Sequence, residues 1–460
     1  MARTAAGLPA GTRLTDYLSL GVLTARFPIE DVQEALLSTG RVSERERDLP
    51  ARVMVYYVIA LALYADVSTR EVLRCLLEGA RWLGDPDAGV APAGWSGISQ
   101  ARTRLGAEPM EALYRSVVAP IATATTPEAW YRDWRVMRLD GTTLDVSDTA
   151  ANRATFGVPA STRGANATGA FPQVRIVGLL ETGTHVLCAA KMCAFSTGDV
   201  TLAAAVVSTL TRDMLCVADR AFLGFDLWQR ARATGAQLLW RAKATHQLPA
   251  LERYADGSYR SELRWNSHCR SPDRTAIAVR VVEYTLDGAP DADTVYRLVT
   301  TLVDPTHAPA AELAAVYHER WEIETAFDEF KTHLRGAQRV LRSKTPALVQ
   351  QEAWGFLLAH FAIRALMHEA ALGALPRARD PDSLSFVHAI RVIRRTLPHL
   401  AAIPRSGPAA RAPRDPACAA RRDGPVAAGA HRPARCQTQN EQLPAPPATA
   451  TAHHATPDHR

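Results

Sequence analysis

The apolar residues of this chain change period near Thr126, and that change limits the fold more than any other feature of the sequence. From Leu14 to Thr126 they recur at spacings of three and four, the mark of one helical face. Helices are predicted at Asp31–Ser38, Leu49–Tyr64, Ser68–Leu83, Ser99–Leu105 and Glu108–Ala122. Pro50 suits a first turn, and Ser68 with Glu71 three positions on reads as a helix start. The Gly- and Pro-bearing stretch Gly84–Gly97 reads as a loop. After Thr126 come short β-branched runs, Val136–Leu139, Thr142–Val146, Gln173–Leu180, His185–Met192 and Met214–Ala218, which read as strands. Helices are then predicted at Val200–Leu210 and Phe225–Thr234, with a strand at Gln237–Ala242. Strands in a meander, then alternating with helices, predict an α/β domain with a mixed sheet. Residues 246–304, with strands at Ile277–Leu286 and Thr294–Val303, read as a β-rich insertion. A long helix is predicted from Pro309 to about Arg335, and others at Pro346–Ala374 and Ser383–Leu397.

A chain of 460 residues, 47% hydrophobic and 22% charged, has ordinary globular composition and length for roughly two or three domains. Its longest apolar run, Val53–Tyr64, is the length of a buried helix and shorter than a membrane span, and Met1–Arg13 lacks the apolar core of a signal peptide. A cytoplasmic protein is expected. The seven cysteines are scattered and never spaced as CxxC, which reads as reduced packing residues. A net charge of +6 suits a polyanionic partner without identifying one. Arginine supplies nearly all the positive charge, and lysine occurs only at Lys191, Lys243, Lys331 and Lys344.

One of those lysines belongs to the sharpest functional signal, Tyr317-x2-Arg320-x3-Glu324-x6-Lys331. On an unbroken helix at about 100° per residue these four side chains share a strip about 60° wide. Ile323, Phe327, Phe330 and Leu334 form an apolar strip beside it, and His318, Glu322, Thr325, Glu329 and His333 fall on a polar, solvated side. The strip alone allows two readings: a surface helix with an Arg320–Glu324 ion pair, or a carboxylate between cations and a phenol at a metal and phosphate site. Asp140 closes the run Val136–Leu139, and Gly141 after it would let a phosphate backbone approach closely. Asp219 closes Met214–Ala218. Strand ends are where α/β folds usually carry their sites, although an Asp there also serves as a helix cap. Asp140, Asp219 and Glu324 together would make a hard oxygen donor set suited to Mg²⁺ or Mn²⁺, and Asp328, one turn past Glu324, is the alternative third member. Two such ions about 3.5–4 Å apart can activate the attacking oxygen and stabilise the leaving oxygen of a phosphodiester.

Leu139-Asp140-Gly141-Thr142, Ala218-Asp219-Arg220-Ala221-Phe222 and the Tyr317/Arg320/Glu324/Lys331 set resemble the motifs of the DDE transposases of the IS-four insertion-element group. Phe171-Pro172-Gln173-Val174-Arg175 is similar too, and the resemblance runs from the helical N-terminal region to about Leu397. It implies an RNase H-like catalytic domain over 127–400, its β insertion at about 246–304, behind a helical DNA-binding domain over 1–126. Asp140, Asp219 and Glu324 would then be the catalytic metal ligands, and Tyr317, Arg320 and Lys331 would hold phosphates of the cleaved end. The implied reaction is nicking that frees a 3′-OH, hairpin formation on the opposite strand, hairpin opening and strand transfer. The implied partners are terminal inverted repeats, target DNA and a second copy in a synaptic homodimer. Trp265, near Arg264, His268 and Arg270, is the candidate for stacking a flipped base, a packed Trp being the other reading. In the helix start Ser99–Arg104, Arg102 and Arg104 suit a groove-reading helix or a solvated one equally.

The resemblance stops near Leu397. Beyond Arg405 the chain is dominated by Ala, Pro, Arg and Thr and has no aromatics, so 401–460 is expected to be disordered. Arg435–Leu443 permits codons that, read one base later, encode Val-Lys-Arg-Lys-Met-Ser-Asn-Phe, which resembles how these transposases end. A frameshift between about Leu397 and Arg435 is therefore expected. Two other functions fit part of the pattern. A stand-alone RNase H-like nuclease needs the carboxylates but neither the Tyr317/Arg320/Lys331 set nor an end-reading domain. An end-binding regulator with a decayed catalytic site would not need the carboxylates, all of which are present.

Overall fold

Helices give way to strands where the apolar period changes. A computed structural model describes residues 20–43, 49–65, 67–74, 76, 95–159, 170–265, 275–285, 295–319, 321–336, 339–373 and 380–395, all within the first of the chain's two units, Met1–Gly424. The first helices are α1 (Leu20–Arg26), α2 (Ile29–Ser38), α3 (Ala51–Leu63), α4 (Trp95–Leu105) and α5 (Glu108–Val117). The Ser68 hydroxyl accepts the Glu71 amide at 3.2 Å, the N-cap bond expected there. Helix α5 stops before the predicted Ala122 because Pro120 lacks an amide and disfavours helical backbone before it.

The ten strands among the described residues form one mixed sheet. They are β1 (Trp130–Tyr131), β2 (Trp134–Asp145), β3 (Gln173–Glu181), β4 (Val186–Ala194), β5 (Met214–Ala218), β6 (Gln237–Arg241), β7 (Glu252–Arg253), β8 (Tyr259–Leu263), β9 (Ile277–Tyr284) and β10 (Tyr296–Thr300). The order is β4-β3-β2-β5-β6-β10-β9-β8-β7, with β1 paired to the start of β2. Strand β2 lies antiparallel to β3 and parallel to β5, and β5 lies parallel to β6. The residues predicted as a β insertion supply β7 to β10 and continue this sheet, β10 joining β6 antiparallel through Leu298↔Arg241.

Strand β2 is continuous where the sequence predicts two strands. Asp140 and Gly141 are poor strand formers and leave a gap in the pattern. Pairing of Met137–Asp145 with β3 and of Arg135–Leu139 with β5 nevertheless holds the backbone extended through both residues. Asp140 therefore sits in mid-strand, one residue past the last pair with β5.

The remaining helices are α6 (Ala150–Phe156), α7 (Asp199–Val206), α8 (Phe225–Ala233), α9 (Ala310–His318), α10 (Trp321–Asp328), α11 (Pro346–Leu372) and α12 (Phe386–Arg395). The single helix predicted from Pro309 to Arg335 is broken into α9, α10 and a π-helical turn, Glu329–Leu334. Arg138 reaches the first break: its guanidinium Nη2 donates to the Val316 carbonyl at 3.2 Å and faces the Glu319 carboxylate at 3.7 Å. The second break is closed by the Arg335 amide, which donates to the Phe330 carbonyl five residues back at 3.3 Å.

Helices α7 and α8 pack on the sheet face that receives Met137 and Leu139. The other face receives Val136 and Leu144, covered by α9 near one end and by α10 and α11 near the other. Helix α3 is apolar on every side, and Met54 to Leu63 are all buried. Much of its cover is α11, which shares one apolar core with the N-terminal helices. Arg342 fastens the contact by donating to the Val67 and Leu61 carbonyls at 2.6 and 3.0 Å. Among the described residues Cys188, Cys193 and Cys216 are free thiols, and no helix is long and apolar enough to cross a membrane. Residues 77–94, most of the predicted loop, and 396–460, with the expected tail and frameshift, lie outside the described residues.

Candidate active site

Alternation along a strand puts Val136, Arg138, Asp140, Thr142 and Leu144 on one face of β2. On β5 the same rule sends Leu215, Val217 and the following Asp219 to that face, where Leu215 and Val217 meet Val136 and Tyr317 in one core cluster. Leu139 pairs with Ala218, so Asp140 and Asp219 stand one step beyond the last pair of neighbouring parallel strands. Both are half-buried. Asp140 Oδ1 accepts the Gly141 amide at 2.7 Å, and Asp219 Oδ1 accepts the Arg220 amide at 2.6 Å. The buried Tyr317 hydroxyl, arriving from α9, donates to Asp219 Oδ1 at 3.4 Å.

Helix α10 packs on β2 through its buried residues Ile323, Ala326 and Phe327, leaving Glu324 exposed at the edge of the contact. Among the described residues no three His, Cys, Asp or Glu side chains are gathered so as to hold a metal ion. The sheet thus joins Asp140 to Asp219, while Glu324 is not closed onto them. The donors are oxygen-only and half-buried, a chemistry that fits a hard divalent cation. Lys331 lies in the π-helical turn: burial, then Arg335, pull its ammonium below the usual lysine range, against Asp145, Asp140 and Asp328, which raise it. Arg320 lies outside the described residues.

Because the helix breaks twice, the continuous strip predicted from Tyr317 to Lys331 does not exist, and its predicted polar side is not solvated throughout. His318 packs edge-on against Tyr284 and Tyr296, with ring centroids 5.3 and 5.4 Å away. Glu329 is buried. Arg364 of α11 grips it with two bonds, Nε to Oε2 at 2.8 Å and Nη2 to Oε1 at 2.5 Å. His360 Nε2 stands 3.4 Å from Oε2, and His185 and Asp382 complete the cluster. Burial alone would raise the Glu329 pKa, but Arg364, His185 and His360 hold it far below the ordinary carboxylate range.

Gly141 has a different role from the one its sequence suggests. It faces α7, where an added Cβ would meet the Asp199 carboxylate at 2.9 Å, and that carboxylate is ion-paired with Arg175 at 2.7 Å. Close helix packing, not phosphate approach, fills the space. The glycine beside Asp140 on the site's own face is Gly178, its partner on β3. A Cβ there would meet Leu187 Cδ2 at 2.9 Å. An isolated Gly in the apolar run Ile176–Leu180 was the readable sign of it. Arg138 was also legible, being two residues from Asp140 in a strand and so on its face.

Arg102, one of the two arginines read as suiting a groove-reading helix, is buried. Ile98, Ala101, Arg102 and Leu105 occupy the buried face of α4, where Arg102 donates to Gln351 Oε1 at 2.8 Å, Ser343 Oγ at 3.0 Å and the Leu348 carbonyl at 3.2 Å. Its spacing from Ile98 and Leu105 already assigned it to that face. Arg102→Ala is expected to lower stability by about 2–3 kcal/mol in urea unfolding, through the polar partners it orphans, while leaving the salt dependence of DNA binding unchanged. Ser99, Gln100, Thr103 and Arg104 are exposed on the other side of α4. Trp265 is 41% exposed and meets Phe225 edge-on at 6.4 Å, while Arg264 beside it pairs with Glu262 at 3.2 Å. His268 and Arg270 lie outside the described residues.

Residues 133–362 match the family model described as "Transposase DDE domain", and residues 17–115 match "Insertion element 4 transposase N-terminal". The chain belongs to the IS4 family of DDE transposases. Among its relatives is the transposase InsG for insertion sequence element IS4 of Escherichia coli K12, 27% identical to this transposase over 84% of this chain and 83% of that one. InsZ of the same strain is 24% identical over 48% of this chain and 71% of its own. A solved structure of the piggyBac transposase synaptic complex with hairpin DNA aligns with a TM-score of 0.42 at 10% identity, over 84% of this chain and 81% of that one. The transposase is an enzyme.

Proposed function

We propose that this transposase cuts the ends of its insertion element and joins them to target DNA on the sheet face bearing Asp140 and Asp219, with Glu324 as the third carboxylate and β2 to β6 as an RNase H-like frame. The observation that carries this reading is the register of β2 and β5, which sets the two aspartates on neighbouring parallel strands and one face, with the Tyr317 hydroxyl on Asp219. Asp328 accepts the Thr332 hydroxyl at 2.5 Å and pairs with His333 at 3.6 Å, and the spacing of the family motif favours Glu324 as the third carboxylate. The oxygen donors suit Mg²⁺ or Mn²⁺. Such ions, when bound, polarise the phosphodiester and acidify the attacking hydroxyl.

The chain's own groups bind and orient the DNA. Lys331, on the π-helical turn, offers a cation for a phosphate of the cleaved end, and Arg320 and the Tyr317 hydroxyl serve the same end by the family pattern. Residues 1–126 read the terminal inverted repeats, with Arg104 on the exposed face of α4, and residues 127–400 cut. Trp265, 41% exposed, is the aromatic on which an extruded base can stack. Nicking frees a 3′-OH, which attacks the opposite strand to close a hairpin. Hairpin opening and strand transfer follow in a complex of two copies.

The test uses the full chain and linear DNA carrying the repeat that flanks its own coding region, with Mg²⁺ or Mn²⁺. The expected product is a break at the element boundary and a closed hairpin end on a denaturing gel. Cutting without boundary preference would replace this reading with a general nuclease, and repeat binding without cutting would replace it with a regulator.

A further inference from the structure

The apolar residues of the segment after Glu324 do not call for a π-helical turn. Phe327, Phe330 and Leu334 are spaced three and four apart, all are buried, and an unbroken α-helix would bury them equally well. What an unbroken helix would not bury on that same strip is Glu329. The turn begins at Glu329, and its carboxylate is held by two bonds from Arg364, with His360 and His185 beside it. Arg364 in turn meets Asp382 at 3.5 Å, so one buried cluster joins the turn to α11, to the β3–β4 connection through His185 and to the segment before α12. Two residues beyond Glu329, on the same turn, is Lys331.

A buried ion pair is weak support for stability, since an apolar pair of equal volume often does as well, and its best-attested use is to fix register. We propose that Glu329 and Arg364 are positioning residues for Lys331: their buried ion pair selects the π-helical register over the α-helical one and so fixes where Lys331, two residues on in the same turn, stands on the site's side of the sheet. The proposal rests on the phosphate-holding reading of Lys331. It assigns no contact with DNA to Glu329 or Arg364, both of which are buried.

The test is the salt dependence of binding to a duplex carrying the flanking terminal repeat, which needs no cleavage and no metal. Lys331→Ala is expected to weaken binding about tenfold and to reduce the slope of log affinity against log salt by about one counterion. The paired replacement Glu329→Met with Arg364→Met removes both charges and keeps volume. It is expected to fold, as read by thermal unfolding, and to give the same loss of affinity and slope as Lys331→Ala. Adding Lys331→Ala to the pair should change nothing further, whereas independent effects would add. If the pair does not fold, Arg364→Lys, which keeps the charge but loses the two-pronged grip, is read in its place. A wild-type slope for the folded pair variant, or full additivity with Lys331→Ala, would overturn the positioning role alone. An unchanged slope for Lys331→Ala itself would overturn the phosphate reading, and this inference with it.

Discussion

Asp219→Asn is expected to fold, to bind the terminal repeat as the parent does, and to cleave at least about a thousand-fold more slowly. The amide oxygen of Asn can still accept the Arg220 amide and the Tyr317 hydroxyl, so the local backbone and α9 keep their bonds. What is lost is one unit of negative charge on the face where a divalent cation would sit. Asp140→Asn is expected to behave alike, because Asp140 stands on the adjacent strand and its Oδ1 bond to the Gly141 amide also survives the change. Since the two carboxylates serve one function, the double variant should be scarcely slower than either single one. Single-turnover cleavage alongside fluorescence anisotropy separates chemistry from binding. Cleavage by Asp219→Asn within tenfold of the parent would remove Asp219 from the catalytic set.

The second large effect is on stability. Arg364→Ala leaves the Glu329 and Asp382 carboxylates without the guanidinium that both face, one of them fully enclosed, and is expected to cost about 3–5 kcal/mol. The pH dependence gives the sign. In the parent, Glu329 is held below the ordinary carboxylate range, so its contribution is fully present above that range and is lost only as pH falls through it. In the variant burial acts unopposed by Arg364 and favours the protonated carboxyl, so the penalty is greatest at neutral pH and is relieved on acidification. The stability gap between parent and variant should narrow between about pH 7 and pH 5 in denaturant titrations. A gap that widened over that interval would mean that Glu329 is not ionised in the parent.

Much of this was legible in the residues. Strand β5 was read to its ends, because five buried apolar residues bounded by Asp213 and Asp219 leave little choice. Helix α3 was legible as a buried helix from its length and its lack of a polar face. Asp140 and Asp219 stood out because each closes an apolar run, and Glu324 through its spacing from Tyr317, Arg320 and Lys331. Three features were hidden, each for its own reason. Asp140 looked like a strand end because local propensity registers a break that two neighbouring strands override. The helix after Pro309 looked whole because its apolar residues keep a helical spacing from Leu313 to Leu334, and spacing does not register distant partners such as Arg138, which donates to the Val316 carbonyl. Glu329 looked solvated because a charged residue is assigned to water unless its counter-ion is known, and Arg364 lies on another helix.

The pairing of α3 with α11 bears on how the protein is made. Synthesis delivers α3 early, with ten consecutive buried residues that α2 and α4 cover only in part, and the helix that completes their cover emerges only after the whole sheet has been completed. A chain interrupted before Leu372 therefore keeps a sticky, unfinished amino-terminal end. Such fragments are expected to aggregate or be degraded and not to persist as folded pieces.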